Sequence, residues 1–371
     1  MTLARPVESS SPNERPGGPL RLSRSARARL RRLFASEAFV AILIVVFVIA
    51  MSPFAPGLLS ERNAFNVLSN FWPLAIIVIG QTFVLVVAGI DLAQTAVINF
   101  TNTMGALLVT RALEPALFQN SVLWGSVVGP DGGPLGGSGG GIAAAVVVTV
   151  AIGGGLGAIN GLLIARLKMP PFMVTLGTML LFSAIAVWST RSENVPNLPD
   201  DYLLISQGQI WGAIPVPATI AVVIGLVAHF VLSKTPFGAW LYAAGTSRDT
   251  AIISGVPYQR VVVMAYVISG VLATIGGLLY GTRLEAGRPT LVDDLLLLDV
   301  IGAAVIGGVS LFGGKGSVLG AALGALLFVV LSNILNLLNL PFTVVFIVKG
   351  LVIVAAALLD VARNRVLGGQ R

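Results

Sequence analysis

IAAAVVVTVAIGGGLGAINGLLIA, residues 142–165, runs for 24 positions without one charged side chain. At 1.5 Å per residue a helix of that length reaches about 36 Å, enough to cross a hydrocarbon layer about 30 Å thick. Inside lipid every backbone polar group needs a partner within the segment, and an α-helix supplies one. The stretch therefore reads as a membrane crossing, and the rest of the chain repeats its pattern.

Nine further apolar runs lie near 37–58, 66–89, 92–112, 171–190, 215–233, 261–282, 295–310, 317–337 and 341–360. The fold class that follows is all-α: a polytopic transmembrane helical bundle of about ten spans over residues 37–360. Composition agrees, since 11% of the 371 residues are charged, against about 25% in a soluble domain. Mean hydropathy is +0.91. Residues 63–112 hold two crossings with little polar loop between them. Residues 1–36, rich in Ser, Pro and Arg, read as a disordered basic cytoplasmic tail, and 361–371 as a second short tail.

Lys and Arg set the orientation. With the N-terminus inside and ten crossings, 17 of the 23 basic residues fall on the cytoplasmic side. Outside loops collect acids instead: Glu61, Glu114, Asp131, Glu193, Asp200, Asp201, Glu285, Asp293 and Asp294. Both termini are expected in the cytoplasm, and the net charge of +7 needs no nucleic acid partner.

Several chemistries are excluded. There is no Cys and one His, His229, so thiolate metal sites and disulfides are absent and no metal or catalytic cluster is expected. GPDGGPLGGSGGG, residues 129–141, lacks the Lys-Ser/Thr pair of a phosphate-binding loop. The segment 113–141 reads as a flexible, Gly-rich external loop.

Polar groups inside spans are costly in lipid and usually face the bundle interior. The third run carries Gln94, Thr95, Asn99, Thr101, Asn102 and Thr103. Asn99, Asn102 and Thr103 share one helical face, suited either to a neutral polyhydroxylated solute or to hydrogen bonds between helices. Asp91 stands at the break between the second and third runs and is placed to cap the third helix. Asp299 and Lys349 are mid-span and able to pair. His229 reads as a packed histidine with a partner. The runs Gly153 to Gly161 and Gly320 to Gly324 set small residues three or four apart, for a tight mobile interface or for ordinary close packing.

Residues 234–260 form the longest internal loop after the tail. Pro236 and Gly238 open it, Gly255 and Pro257 close it, and its centre suits a short helix capped by Thr246 or Ser247. Such a helix is a natural docking knob for a soluble partner. Two hairpins share a pattern: Asn160 then Pro171-Phe172, and Asn333 then Pro341-Phe342. That is the arrangement of inverted-topology halves; chance similarity between apolar segments explains it equally well.

AAGTSRDTAIISGVPYQRVVVMAYVISGVLATIGGLLYGTR (243–283), LLLLDVIGAAVIGGVSLFGGKGSVLGAALGALL (295–327) and IVKGLVIVAAALLD (347–360), with AGIDLA (88–93) and PPFMVTLGTM (170–179), resemble the ribose/xylose/arabinose-type permeases of ATP-binding cassette importers. The resemblance runs from about residue 65 to 363. It implies a permease in the cell (inner) membrane that imports a monosaccharide, paired with a second copy or paralogue. It also implies a cytoplasmic ATPase that holds the ATP and Mg, so the chain has no cofactor of its own, and an extracytoplasmic sugar-binding protein. Gly245, Ser247, Arg248, Ala251, Ser254 and Gly255 match the family's ATPase-coupling loop. Gly307, Gly308, Gly313, Gly314, Lys315 and Gly316 match its glycine-rich turn. Two places depart: Leu-Ala-Gln-Thr-Ala follows Asp91 where the family has Ser and Gly-Ser, and Ser247-Arg248 replaces Asn-Glu. The substrate path is expected along Asp91, Gln94, Asn99, Asn102 and Thr103. An ion-coupled carrier is the alternative, with Asp91, Asp299, Lys349 and His229 as its thin set of ionisable groups.

Overall fold

The computed structural model describes residues 37–368 except 138 and 294, with side chains to 358 except 356. The basic tail 1–36 and the end of the second tail, 369–371, lie outside the described residues. In chain order the elements are α1 (Ala38–Met51), α2 (Glu61–Val86), α3 (Gln94–Val109), α4 (Pro115–Phe118), α5 (Gly139–Ala165), α6 (Pro171–Thr190) and α7 (Asp200–Gln207). A small hairpin follows, β1 (Gln209–Ile210) with β2 (Ile214–Pro215). Then come α8 (Val216–Lys234), α9 (Pro236–Thr246), α10 (Arg248–Ile253), α11 (Tyr258–Arg283), α12 (Leu295–Ile306), α13 (Val318–Leu337) and α14 (Phe342–Gly368).

Each of the ten apolar runs forms one helix, but six are long and apolar enough to cross a membrane: α2, α5, α6, α8, α11 and α13. The best windows of α2, α11 and α13 are 67%, 67% and 72% buried, against 28%, 28% and 22% for α5, α6 and α8. The first three make the core and the others carry outward apolar faces. Three runs end early. α1 ends at Met51; Ser52 keeps helical angles and donates to Val48 O, and Pro53 after it has no N–H with which to continue the ladder. α12 stops at Ile306, where Gly307 leads into Gly308 at φ +88°, leaving 12 residues and about 18 Å of helix. α3 is 16 residues long and ranks with neither the long nor the shorter apolar helices.

The small-residue runs are helix contacts. Gly153, Gly157 and Gly161 of α5 lie on the α11 backbone at Gly270, Tyr266 and Val263. Gly320 and Gly324 of α13 lie on Gly307 and Ala303 at the end of α12. Close approach is how helices attract in lipid, where hydrophobic drive is missing. Between α2 and α13, buried Asn63 and Asn333 exchange carboxamide hydrogen bonds of 3.0 and 2.8 Å, whereas the side chain of Asn160, equally buried, has no partner among the described residues. Asn333→Leu is expected to destabilise by about 1–2 kcal/mol. The Asn63→Leu/Asn333→Leu pair should cost less than the sum of the singles in detergent thermal unfolding.

The Gly-rich segment 113–141 departs from the flexible loop read from its composition. Phe118 and Val128 are buried against Ala106, Leu107, Leu113 and Val195. Gly133 N–H donates to Thr110 O (2.8 Å) and Leu135 N–H to Leu108 O (2.9 Å). A Cβ at Gly133 or Gly136 would strike the carbonyls that end α3, so these glycines permit close approach rather than freedom. Arg111 N–H donates to Asn197 O, and Val195 and Gly287 exchange hydrogen bonds. Three loops are thereby fastened into one cap beyond α3.

Candidate functional site

The α2–α3 break is built on a left-handed turn. Gly89 N–H returns to Val84 O (2.9 Å), with Ala88 at φ +60°, a conformation costly to a residue with a Cβ. Asp91 follows, buried. It does not cap α3 as the sequence suggests: the N-cap is Ala93. Asp91 Oδ1 instead accepts from Ala93 N–H (3.1 Å) and Oδ2 from Ser269 Oγ (2.7 Å) on α11. Gln94 Nε2 donates to the same Ser269 Oγ (2.9 Å) and to Ile77 O (3.3 Å). Ile90 O accepts from Thr175 on α6 (3.2 Å). The break is thus held by α2, α6 and α11 together; Gln94 Oε1, the hydroxyl of Thr95 and, on α2, both side-chain polar atoms of buried Gln81 lack partners among the described residues.

Asn99, Asn102 and Thr103 lie on α3 as expected, yet their polar groups are engaged within the chain. Asn99 grips the Val292 backbone with two bonds of 3.0 Å, one given and one accepted. Asn102 Nδ2 donates to Arg288 O (3.2 Å) and Thr103 Oγ1 to Asn99 O (2.8 Å). This face stitches α3 to the segment between α11 and α12. Sequence spacing cannot separate a carboxamide facing a solute from one facing a distant backbone.

Asp299 on α12 and Lys349 on α14 do pair, at 2.6 Å. His229 sits on the exposed face of α8, not packed against a partner as expected; the apolar surface around it gives no sequence signal for which face turns outward.

Residues 234–260 form two helices. Thr235 caps α9 and Ser247 caps α10, accepting from Gly238 and Thr250 N–H at 3.3 Å each. In α10 only Ala251 is buried; Arg248, Asp249, Thr250, Ile252 and Ile253 are exposed, as are Ser254 and Gly255 after it. Gly255 has φ +80° and closes the helix with bonds from its own N–H to Ile252 O and from Val256 N–H to Ala251 O. The Arg248 guanidinium lies 5.2 Å over the Tyr258 ring. The result is a rigid, outward-pointing knob.

One junction was not legible in the sequence. Gly245, at the end of α9, rests on the carbonyl of Val86, the last residue of α2, with no room for a Cβ. That carbonyl also accepts from Gly314 N–H (2.9 Å). Gly313 and Gly314 have φ +81° and +71° and fit against Ala88 and Thr246. Tyr242 Oη donates to Gly316 O (2.8 Å), and partial burial holds its hydroxyl above the ordinary range. The glycine-rich turn 307–316, the end of α9 and the α2–α3 break meet here; Lys315 lies within the turn.

Six helices long and apolar enough to cross a membrane, with three shorter apolar ones beside them, make this a multi-pass membrane protein. Residues 63–357 match the family described as branched-chain amino acid transport system / permease component, and the chain belongs to that family. It is 33% identical over 334 residues to the ribose import permease RbsC of Haemophilus influenzae, covering 89% of this chain and 94% of RbsC. It is 29% identical to the D-allose transport system permease AlsC of Escherichia coli (87% and 90% covered) and 27% identical to the L-arabinose ABC transporter permease AraH of Azospirillum brasilense (91% and 91%). No solved structure matches it. As a permease component it moves solute, and ATP hydrolysis belongs to a separate subunit.

Proposed function

We propose that this chain carries a monosaccharide inward through the cell (inner) membrane by alternating access, with no chemistry on the solute. The observation that carries the reading is the α10 knob: six residues fixed by one buried anchor, with every other side chain turned outward. A cytoplasmic ATPase, holding ATP and Mg, docks there. An extracytoplasmic sugar-binding protein delivers solute to the opposite face, and a second copy or a paralogue completes the pathway. Ten crossings with both termini cytoplasmic accommodate the ten helices. The outward apolar faces of α5, α6 and α8 then meet lipid or the second permease. The two similar hairpins, α5–α6 and α13–α14, fit an inverted repeat. The family's description names amino acids, whereas the relatives above are named for ribose, allose and arabinose, and the sugar reading follows them. At the break the third run leaves two uncharged atoms unpartnered among the described residues, Gln94 Oε1 and the Thr95 hydroxyl, and Asp91 is already spent on Ser269 and Ala93.

Mild-detergent affinity purification from the native host tests this. A stoichiometric nucleotide-binding ATPase is expected to accompany the chain. Ile253→Asp, at a side chain 87% exposed, should weaken that association by roughly 30-fold or more, as at an interface hot spot, without altering thermal stability. A well-folded wild type that emerges from several detergents without an ATPase would favour the ion-coupled carrier.

A further inference from the structure

We infer that Gly245 is the point where motion of the α10 knob enters the α2–α3 break, and that it passes as backbone against backbone with no side chain between. This rests on reading 234–260 as the ATPase-coupling segment. α9 and α10 are joined only through Ser247, which is both the C-cap of α9 and the N-cap of α10, so the last turn of α9 moves with the knob. Its other side bears directly on Val86 O at Gly245, while Gly314 N–H holds the same oxygen. Gly313 packs on both Ala88 and Gly245 O, and Tyr242 pins the glycine-rich turn one helical turn earlier. Side chains hop between rotamers and absorb small displacements; a contact between main chains has no such slack.

From Val86 the path to the buried polar network is five residues long and stiff. Ala88 is fixed in the left-handed region, Gly89 is bonded back to Val84, and Asp91 is tied to Ser269 on α11. A displacement at Gly245 therefore reaches the Asp91–Ser269–Gln94 network as movement of a rigid turn. Gly245 is a positioning residue, acting through this turn rather than on the solute. Mere tight packing would make Gly245 matter for stability alone. Transmission makes it matter for the link between hydrolysis and uptake.

The experiment uses the full complex with its co-purified ATPase and binding protein in liposomes. Uptake is followed with whichever of D-ribose, D-allose and L-arabinose the wild type accumulates. Wild type with no ATPase or no uptake would count against the proposed function itself, before any variant is compared. Gly245→Ala is expected to retain the ATPase and basal hydrolysis within about twofold while uptake falls about tenfold, within the range for residues that carry coupling. Uptake at the wild-type level, or loss of the ATPase from the complex, would overturn the inference. If Gly245→Ala does not fold, Ala88→Gly decides, since glycine accepts φ +60° without a clash and only loosens the turn. Hydrolysis intact with reduced uptake supports transmission; uptake and hydrolysis both unchanged refutes it.

Discussion

Lys349→Met is expected to destabilise the bundle by roughly 3–5 kcal/mol, because it leaves the Asp299 carboxylate largely buried with no cation. The two side chains are 16% and 13% exposed and 2.6 Å apart, so solvent does little for either alone. Asp299→Leu/Lys349→Met removes both charges and should recover most of that stability, since an apolar pair of similar volume is often as good as a buried ion pair. Thermal unfolding of purified protein checks the order: wild type and double variant close together, single variant far below. The double variant also decides between transport classes. An ATP-driven permease keeps its uptake without the pair, whereas an ion-coupled carrier that uses these groups loses it.

Asp91→Leu is the second large effect. Ser269 Oγ–H and Ala93 N–H both lose their acceptor in a buried site, at about 1–3 kcal/mol for each donor left unpaired. Asp91→Asn keeps one acceptor oxygen for Ala93 and should cost about 1 kcal/mol. Asp91→Leu/Ser269→Ala should regain little, because removing the orphaned Ser269 hydroxyl also takes the acceptor of Gln94 Nε2. If Asp91→Leu unfolds at the wild-type temperature, the network does not hold the break together.

The crossings were readable because lipid imposes a length and an apolarity that few other contexts demand, and residues 142–165 show both. Their ends were less so. Ile306 and the start of α2 at Glu61 were set by the Gly307-Gly308 pair and by the Ser60 cap, local features outweighed by the apolar windows around them. The knob was foreseen from Thr246, Ser247, Gly255 and Pro257, since caps and closing glycines are local chemistry. The Asp299–Lys349 pair was foreseen from the cost of an isolated charge in lipid. What stayed hidden depends on distance in the chain: Asn99 and Val292 are 193 residues apart, and nothing near either announces the other. The Gly-rich segment misled for a related reason. Glycine permits both a loose chain and the tightest contact, and only the carbonyls of Leu107 to Thr110 decide which.

That long separation has a consequence for how the protein is made. α3 is too short and too polar to enter lipid readily by itself, since buried carboxamides and hydroxyls without partners resist insertion. The partners of Asn99 and Asn102 lie near residues 288–292 and leave the ribosome 193 and 186 residues later. At 5–20 residues per second the delay is about 10–40 s. Until then α3 needs shelter, from α2 beside it or from the insertion machinery. Biogenesis of this permease therefore has a vulnerable interval, closed when the segment after α11 arrives and clasps a helix threaded long before.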